Sequence, residues 1–277
     1  EDFLVDVDWL DDLSIKFSTG TSGNSSGLGN YQSLPLVGTG QYDGNVTYGL
    51  STPGNAALTW EQQRKTTVGI TAGLFNRVNL EVEYYNRVTE SMLVDVPVPL
   101  TTGWSDIISN VGSLQNTGID VALDFDIVKA KNQGDLEISP YINVNYNQNK
   151  VTELFQDRDY WIIPNTGVAW TLGEKLTFFR PMFHGIDTAT GAPQWYVPNG
   201  EEERHISRFD ENDLTSNFNA GALEQNTGLD RYPPFNGGFG LNASWKGFSL
   251  QADFAFSSGK YLFNNARYFY ENANVFT

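Results

Sequence analysis

Apolar and polar residues alternate along this chain in long runs. From Thr117 to Ile127, the residues Ile119, Val121, Leu123, Phe125 and Ile127 take every second position, with Asp120, Ala122, Asp124 and Asp126 between them. From Leu136 to Tyr146 the pattern returns, with Leu136, Ile138, Ile142 and Val144 set against Glu137, Ser139, Tyr141, Asn143 and Asn145. Successive side chains of a strand point to opposite faces, so each run predicts a strand with one apolar and one polar face. The same reading gives strands over Arg64–Leu74, over Asn79–Val88 and on both sides of Lys246-Gly247. A shorter one carries Leu13, Ile15 and Phe17. Strands of soluble proteins average about five or six residues. Runs of ~9–11 with one wholly apolar face are what a membrane-spanning β-barrel requires.

The connections between the runs are unequal. Phe75–Val78, with Asn76-Arg77 at its tip, Lys129–Gly134 and Lys246-Gly247 read as short turns at one end of the strands. At the other end, Gly20–Asn30 is too rich in Gly, Ser and Asn for a regular element, and the polar loop runs on to Glu61. Pro97 and Pro99 argue against a central strand over Leu93–Leu100. Lys150–Asp230 reads as mostly irregular. Short turns on one side and long loops on the other fit an outer-membrane barrel. A soluble β-sandwich would space its strands at about 8–12 residues with loops at both ends.

Composition narrows this picture. The 277 residues hold no stretch near the ~20 apolar residues of a spanning helix, and mean hydropathy is −0.35. A barrel tolerates that low value because only alternate residues meet lipid. A net charge of −16 makes nucleic acid an unsuitable partner, and the absence of cysteine removes disulfides and thiolate metal sites. Glu1–Asp8 carries no leader pattern and Asn272–Thr277 no evident closing strand, so a segment of a longer chain is expected.

The phrases Phe17-Ser-Thr-Gly-Thr-Ser-Gly-Asn24, Gly54-Asn-Ala-Ala-Leu-Thr-Trp-Glu61 and Gly73-Leu-Phe-Asn-Arg-Val through Asn86 resemble those of the SusC-like (SusC/RagA) TonB-linked outer-membrane transporters of Bacteroidota, with Ala56 where the family has Pro. Val96-Pro-Val-Pro-Leu100 and Asn110 to Ile119 follow, then His184-Gly-Ile-Asp-Thr-Ala-Thr-Gly-Ala-Pro193 with Thr188-Ala189 where the family has Pro-Glu. Tyr232-Pro-Pro-Phe-Asn-Gly-Gly-Phe-Gly240 and Trp245-Lys-Gly-Phe-Ser-Leu250 close the series. The order and spacing of these phrases span nearly the whole chain. The resemblance implies an all-β fold, part of a transmembrane antiparallel β-barrel of the 22-stranded type with long extracellular loops and short periplasmic turns. Residues 1–277 would be a middle-to-late segment of the barrel domain, without the N-terminal plug or the final strands. It also implies TonB-dependent import of a glycan or peptide, a SusD-like surface lipoprotein as lid, and a setting of bilayer and lipopolysaccharide in the cell outer membrane. No cofactor is implied.

Candidate chemistry is sparse. Asp120, Asp124 and Asp126 with Glu137 contain the carboxylates of a glycosidase, but alternation sets them along one polar wall rather than facing each other across a cleft. Asp6, Asp8, Asp11 and Asp12, and Asp210-Glu-Asn-Asp213, have oxygen ligands without the frame of a calcium loop, and Glu201–Glu203 reads as a solvated charge run. The two histidines, His184 and His205, lie apart in loops and lack further zinc or triad partners at suitable spacing. Neither catalysis nor a bound metal is expected. The ligand-binding candidates are the loop aromatics Trp104, Trp161, Trp195 and Tyr196, which could stack on sugar rings or peptide side chains or else pack within the loops. The alternatives to an importer are a secreted β-rich carbohydrate-binding protein and a glycoside hydrolase. Within the barrel class, a siderophore or cobalamin receptor is a further one.

Overall fold

The computed structural model describes residues 7–132, 134–163, 166–200, 203–264 and 266. In chain order the first strands are β1 (Leu10–Asn24), β2 (Leu36–Tyr42), β3 (Asn45–Thr52), β4 (Glu61–Leu74), β5 (Val78–Glu90) and β6 (Leu93–Pro97). Next come β7 (Asp106–Asn110), β8 (Ser113–Phe125), β9 (Glu137–Glu153), β10 (Tyr160–Ile163), β11 (Val168–Thr171) and β12 (Thr177–Pro181). The last are β13 (Phe183–Ile186), β14 (Pro193–Tyr196), β15 (Leu214–Thr215), β16 (Glu224–Asp230), β17 (Phe235–Trp245) and β18 (Phe248–Ser258). One short helix, α1 (Ala220–Leu223), precedes β16 with Asn219 as its N-cap.

The long runs of alternation make one sheet of seven antiparallel strands in the order β1-β4-β5-β8-β9-β17-β18. Register carries the apolar positions straight across it. One rung runs Leu13–Ala72–Leu80–Leu123–Ile142–Phe239–Phe254. The next runs Ile15–Ile70–Val82–Val121–Val144–Gly237–Phe256. A third, Phe17–Val68–Tyr84–Ile119–Tyr146–Phe235, brings aromatic rings to its upper margin. A one-residue slip at any strand would break all three rungs at once, so the continuous apolar face itself fixes the register. On β17 the apolar face extends over 11 residues from Phe235 to Trp245. That is about 34 Å of strand, or about 26 Å of height at a tilt of about 40°, close to the apolar band of ~25 Å on outer-membrane barrels.

This face is bare. Ile15 is 74% exposed and Phe248 78%, and exposed apolar residues continue across the whole sheet. Above the aromatic margin the polarity of the two faces inverts. The outer positions become Thr19, Thr66, Asn86, Thr117 and Gln148, while Leu114 and the fully buried Val151 turn inward. There the strands leave the apolar band and an inner core begins.

The short connections lie together. Phe75 and Asn76 take positive φ, with the Arg77 N–H on the Leu74 carbonyl, so the first turn is centred one residue earlier than the Asn76-Arg77 tip expected from sequence. Lys246 and Gly247 (φ 48° and 86°) form the two-residue turn expected between β17 and β18. The turns are also stitched to one another. The Asp126 N–H bonds the Arg77 carbonyl at 2.8 Å, Lys129 Nζ the Asn76 carbonyl at 2.9 Å, and the Lys246 N–H the Gly134 carbonyl at 3.1 Å.

The long connections depart furthest from expectation. β1 does not end at Phe17: it continues through Gly20 and Gly23 to Asn24, paired with β4 as far as Glu61. Its glycines and serines are tolerated because β4 supplies the ladder bonds and the Trp60 ring closes over Gly23. The following loop contains the β2–β3 hairpin, turned at Asp43-Gly44, a dipeptide that suits two successive positive φ angles. Lys150–Asp230 is likewise not mostly irregular: it holds a four-stranded sheet (β10-β11-β12-β16) and a three-stranded one (β13-β14-β15). Those strands have four or five residues in most cases, too short for alternation to reveal. Leu93–Pro97 does form a strand, and as the prolines require it is confined to the two-stranded β6–β7 sheet. A hydrophobic core lies here, where Met92, Val94 and Val96 meet Phe155 and Trp161.

Candidate functional site on the polar inner wall

The polar face of the large sheet converges on one cleft of about 700 Å³ where β5, β8, β9 and the start of β17 leave the apolar band. Alternation positions its side chains. Tyr85 and Arg87 project from β5, Asn116 and Asp120 from β8, and Asn145, Asn147 and Asn149 from β9. Tyr232, Pro233 and Asn236 close the side next to β17.

Hydrogen bonds fix this wall. The Tyr85 hydroxyl donates to Asn147 Oδ1 at 2.9 Å and accepts from Asn145 Nδ2 at 3.1 Å. The same Asn145 nitrogen donates to Asp120 Oδ1 at 2.6 Å, and Asn147 Nδ2 donates to Asn116 Oδ1 at 3.3 Å. Asn149 Oδ1 accepts the Leu176 N–H at 2.8 Å and so ties the wall to the loop sheets above. Tyr85 is only 4% exposed, and the Arg87 guanidinium sits 4.3 Å from its ring centroid. Each of these groups has a partner, as buried polar groups must.

The carboxylates are absorbed into the same wall. Asp126 accepts from Ser139 at 2.7 Å, and Asp120 is held by Asn145. Glu137 lies opposite Ser244, two residues before Ser139 on the same face of β9. Asp187 and Asp210 lie in loops and close their own turns. The Thr190 hydroxyl, then the Ala189 N–H, hold the Asp187 carboxyl below its ordinary range. The backbone N–H and side-chain amide of Asn212 do the same for Asp210. Asp11 accepts the Asn76 N–H. Asp6, Glu201 and Glu202 lie outside the described residues. Among the described residues no three His, Asp or Glu come together as a metal ligand set.

The four aromatic candidates do not form one site. Trp161 is 8% exposed, edge-on to Phe155 and Trp170 at 5.3 and 5.7 Å, so little of its ring is open to a solute. Trp195 and Tyr196 share β14. Trp195 packs on Phe218 at 4.9 Å, and the Tyr196 hydroxyl is 2.9 Å from His184 Nδ1. His205 stacks on Tyr160 at 5.9 Å. Trp104 stands apart, in the tip of the β6–β7 hairpin. The inner-wall cleft joins residues that sequence separates by more than a hundred positions. Alternation places each on the polar face, but it cannot show that they converge.

Similarity to known proteins matches this geometry. No family model matches the chain. TonB-dependent receptor P39 of Formosa agariphila is 30% identical over 156 residues, 56% of this chain and 15% of the relative. TonB-dependent receptor P3 of the same organism is 27% identical over 281 residues, covering 95% of this chain and 27% of the relative. TonB-dependent receptor SusC of Bacteroides thetaiotaomicron is 29% identical over 58% of this chain and 17% of its own length. A solved structure titled as the RagAB peptide transporter superposes with a TM-score of 0.85 at 40% identity, covering 96% of this chain and 29% of that one. The chain is SusC-like. The RagAB peptide importer in an open-open state gives the same score and identity over 98% of this chain and 28% of its own. The SusC-like likeness thus runs along nearly the whole sequence, while the chain spans less than a third of the length of each of these relatives. The large sheet accordingly matches an arc of the barrel of these relatives, with the apolar rungs on one face and the amide wall on the other. The secreted binding protein is not favoured, since it would expose to water an apolar surface running across seven strands. The relatives are named as receptors and transporters rather than as enzymes.

Proposed function

We propose that the chain forms part of the barrel of a TonB-dependent importer in the outer membrane, with peptide as its cargo. The amide ladder of the inner wall carries the reading. Asn143, Asn145, Asn147 and Asn149 occupy alternate positions of β9 on one face, which repeats every ~6.8 Å. An extended peptide has the same two-residue repeat, and a side-chain amide has two donors and two acceptor positions, so each keeps capacity beyond the bonds it makes within the wall. A peptide laid along β9 would therefore meet amides in register. The RagAB structures that superpose on the chain are titled as peptide transporters, which supports the same cargo.

In this reading the apolar rungs meet lipid, the Thr- and Asn-bearing belt above them meets lipopolysaccharide, and the short turns face the periplasm. Cargo enters between the long extracellular loops beneath a SusD-like lipoprotein. TonB acts through a plug contributed by another part of the protein. The polar wall binds and guides and does no covalent chemistry.

The test is purification of the full-length protein from outer membranes in mild detergent. Mass spectrometry of what co-purifies, together with binding of defined peptides and oligosaccharides, reads the outcome. A stoichiometric lipoprotein and binding of peptide over oligosaccharide support the reading. Recovery in the soluble fraction alone, without a partner, would overturn it.

A further inference from the structure

A second cleft, about 210 Å³, opens between the extracellular loop that carries β2–β3 and the β6–β7 hairpin. The hairpin tip is fixed. The Val98 N–H bonds the Ser105 carbonyl at 3.1 Å, and Thr102 Oγ1 donates to the Pro99 carbonyl at 2.8 Å while accepting the Trp104 N–H at 3.3 Å. Trp104, at the end of this tip and half-buried, is one of the residues that line the cleft. Val94 and Val96 point into the core, so Asp95 between them points away from it. Asp95 pairs with Ile108 and Pro97 with Asp106, which puts both carboxylates on that outer face as diagonal neighbours, about 7–8 Å apart.

Both are exposed, and among the described residues neither has an ion-pair partner; Asp106 accepts only from the Ser105 hydroxyl. Two like charges side by side on a two-stranded sheet repel. The opposite wall is preorganised as well, because Asn55 Nδ2 donates to the Ile108 carbonyl at 3.0 Å and to Ser109 Oγ at 3.2 Å. An indole, two carboxylates without an ion-pair partner and a cavity of side-chain size therefore meet at one place.

We propose that this cleft is a subsite for a single organic cation, the ammonium or guanidinium side chain of a basic residue in peptide cargo. The cation gains from the indole face and from the carboxylates together. A bare calcium ion would need six to eight oxygen ligands and would draw nothing from the ring. A neutral sugar would leave the repulsion in place. The inference rests on peptide being the cargo, which explains why such a side chain arrives there.

The test uses the full-length protein in detergent, with L-argininamide and its neutral isostere L-citrullinamide as probes in ligand-observed NMR. A parallel arm measures Ala-Ala-Arg-Ala-Ala and its citrulline analogue by thermophoresis. L-argininamide is expected to bind about tenfold more tightly than L-citrullinamide. Asp95→Asn combined with Asp106→Asn should abolish that preference, and Trp104→Leu should weaken L-argininamide without restoring L-citrullinamide. The three positions are outside the packed core, so an unchanged Tm serves as the folding control. Equal binding of the two amides, or a preference that survives the double variant, overturns the proposal. Failure of both pentapeptides to bind would count against the peptide cargo instead, while the amide pair still decides the subsite.

Discussion

Tyr85 lies across Gly118. The two are cross-strand partners on the inner face, and a Cβ built on Gly118 would overlap the tyrosine ring and its hydroxyl. The absent side chain lets the ring lie flat and deliver its hydroxyl to Asn147. The added Cβ would also press on the Tyr146 carbonyl, so Gly118→Ala should displace Tyr85 and the neighbouring backbone and cost about 1–3 kcal/mol, as overpacking does. Gly20→Ala, with nothing near its added Cβ, should be close to neutral. Thermal unfolding of the detergent-solubilised protein compares the two, and equal Tm values would refute the close approach.

Leu123 and Asp124 are adjacent on β8 and face opposite ways. Leu123→Arg puts a charge into the middle of the apolar rungs and should cost about 2–4 kcal/mol, whereas Asp124→Arg meets the inner wall and should be tolerated. Folding titrations into bilayers measure the difference. Equal tolerance would reverse the assigned faces.

Glu61 explains the last position of the Gly54–Glu61 phrase. Its two oxygens accept the Leu93 N–H at 2.9 Å and Asn24 Nδ2 at 2.8 Å, joining the end of β1 to the start of β6. Glu61→Ala leaves that backbone N–H without its partner, at a cost of about 1–3 kcal/mol. The effect should be local. Hydrogen exchange at Leu93 and along β6–β7 should quicken while the exchange of β8 stays unchanged.

The turn between β13 and β14 should be acid-sensitive. The Asp187 carboxyl is held below its ordinary range by Thr190 and the Ala189 N–H, so the ionised form is favoured in the fold. Its stabilisation is present above the unfolded pKa and is lost as pH falls through the lower folded value. Limited proteolysis within residues 183–196 should rise only in that acid range. Asp187→Ala should show the raised rate already at neutral pH.

What sequence makes legible here follows from period and length. β5, β8, β9, β17 and β18 are long enough for alternation to declare both faces, and their rungs come out as the pattern requires. β1 beyond Phe17 was hidden because a strand above the apolar band needs no apolar positions; Thr19, Thr21 and Gly23 pair as well as Leu13 does. The loop sheets were hidden for a different reason. β10–β14 are short, and what holds them is a core drawn from distant segments, so that Trp161 reads as a loop aromatic until Met92 and Val96 are seen against it. The inner cleft was half legible: Tyr85 and Asn145 could be assigned to a face, but their meeting depends on register across three strands.

That shared core also governs how the mouth can behave. Met92, Val94 and Val96 come from the connection between β5 and β8, and Phe155 and Trp161 from the one between β9 and β17. Asn110 binds the third long connection to them through the N–H and carbonyl of Thr59. The three loops are thus welded into one vestibule rather than hung as separate flaps. Its packing is shared, so a substitution in any one of these loops is transmitted to the other two, and none of them can be reshaped alone.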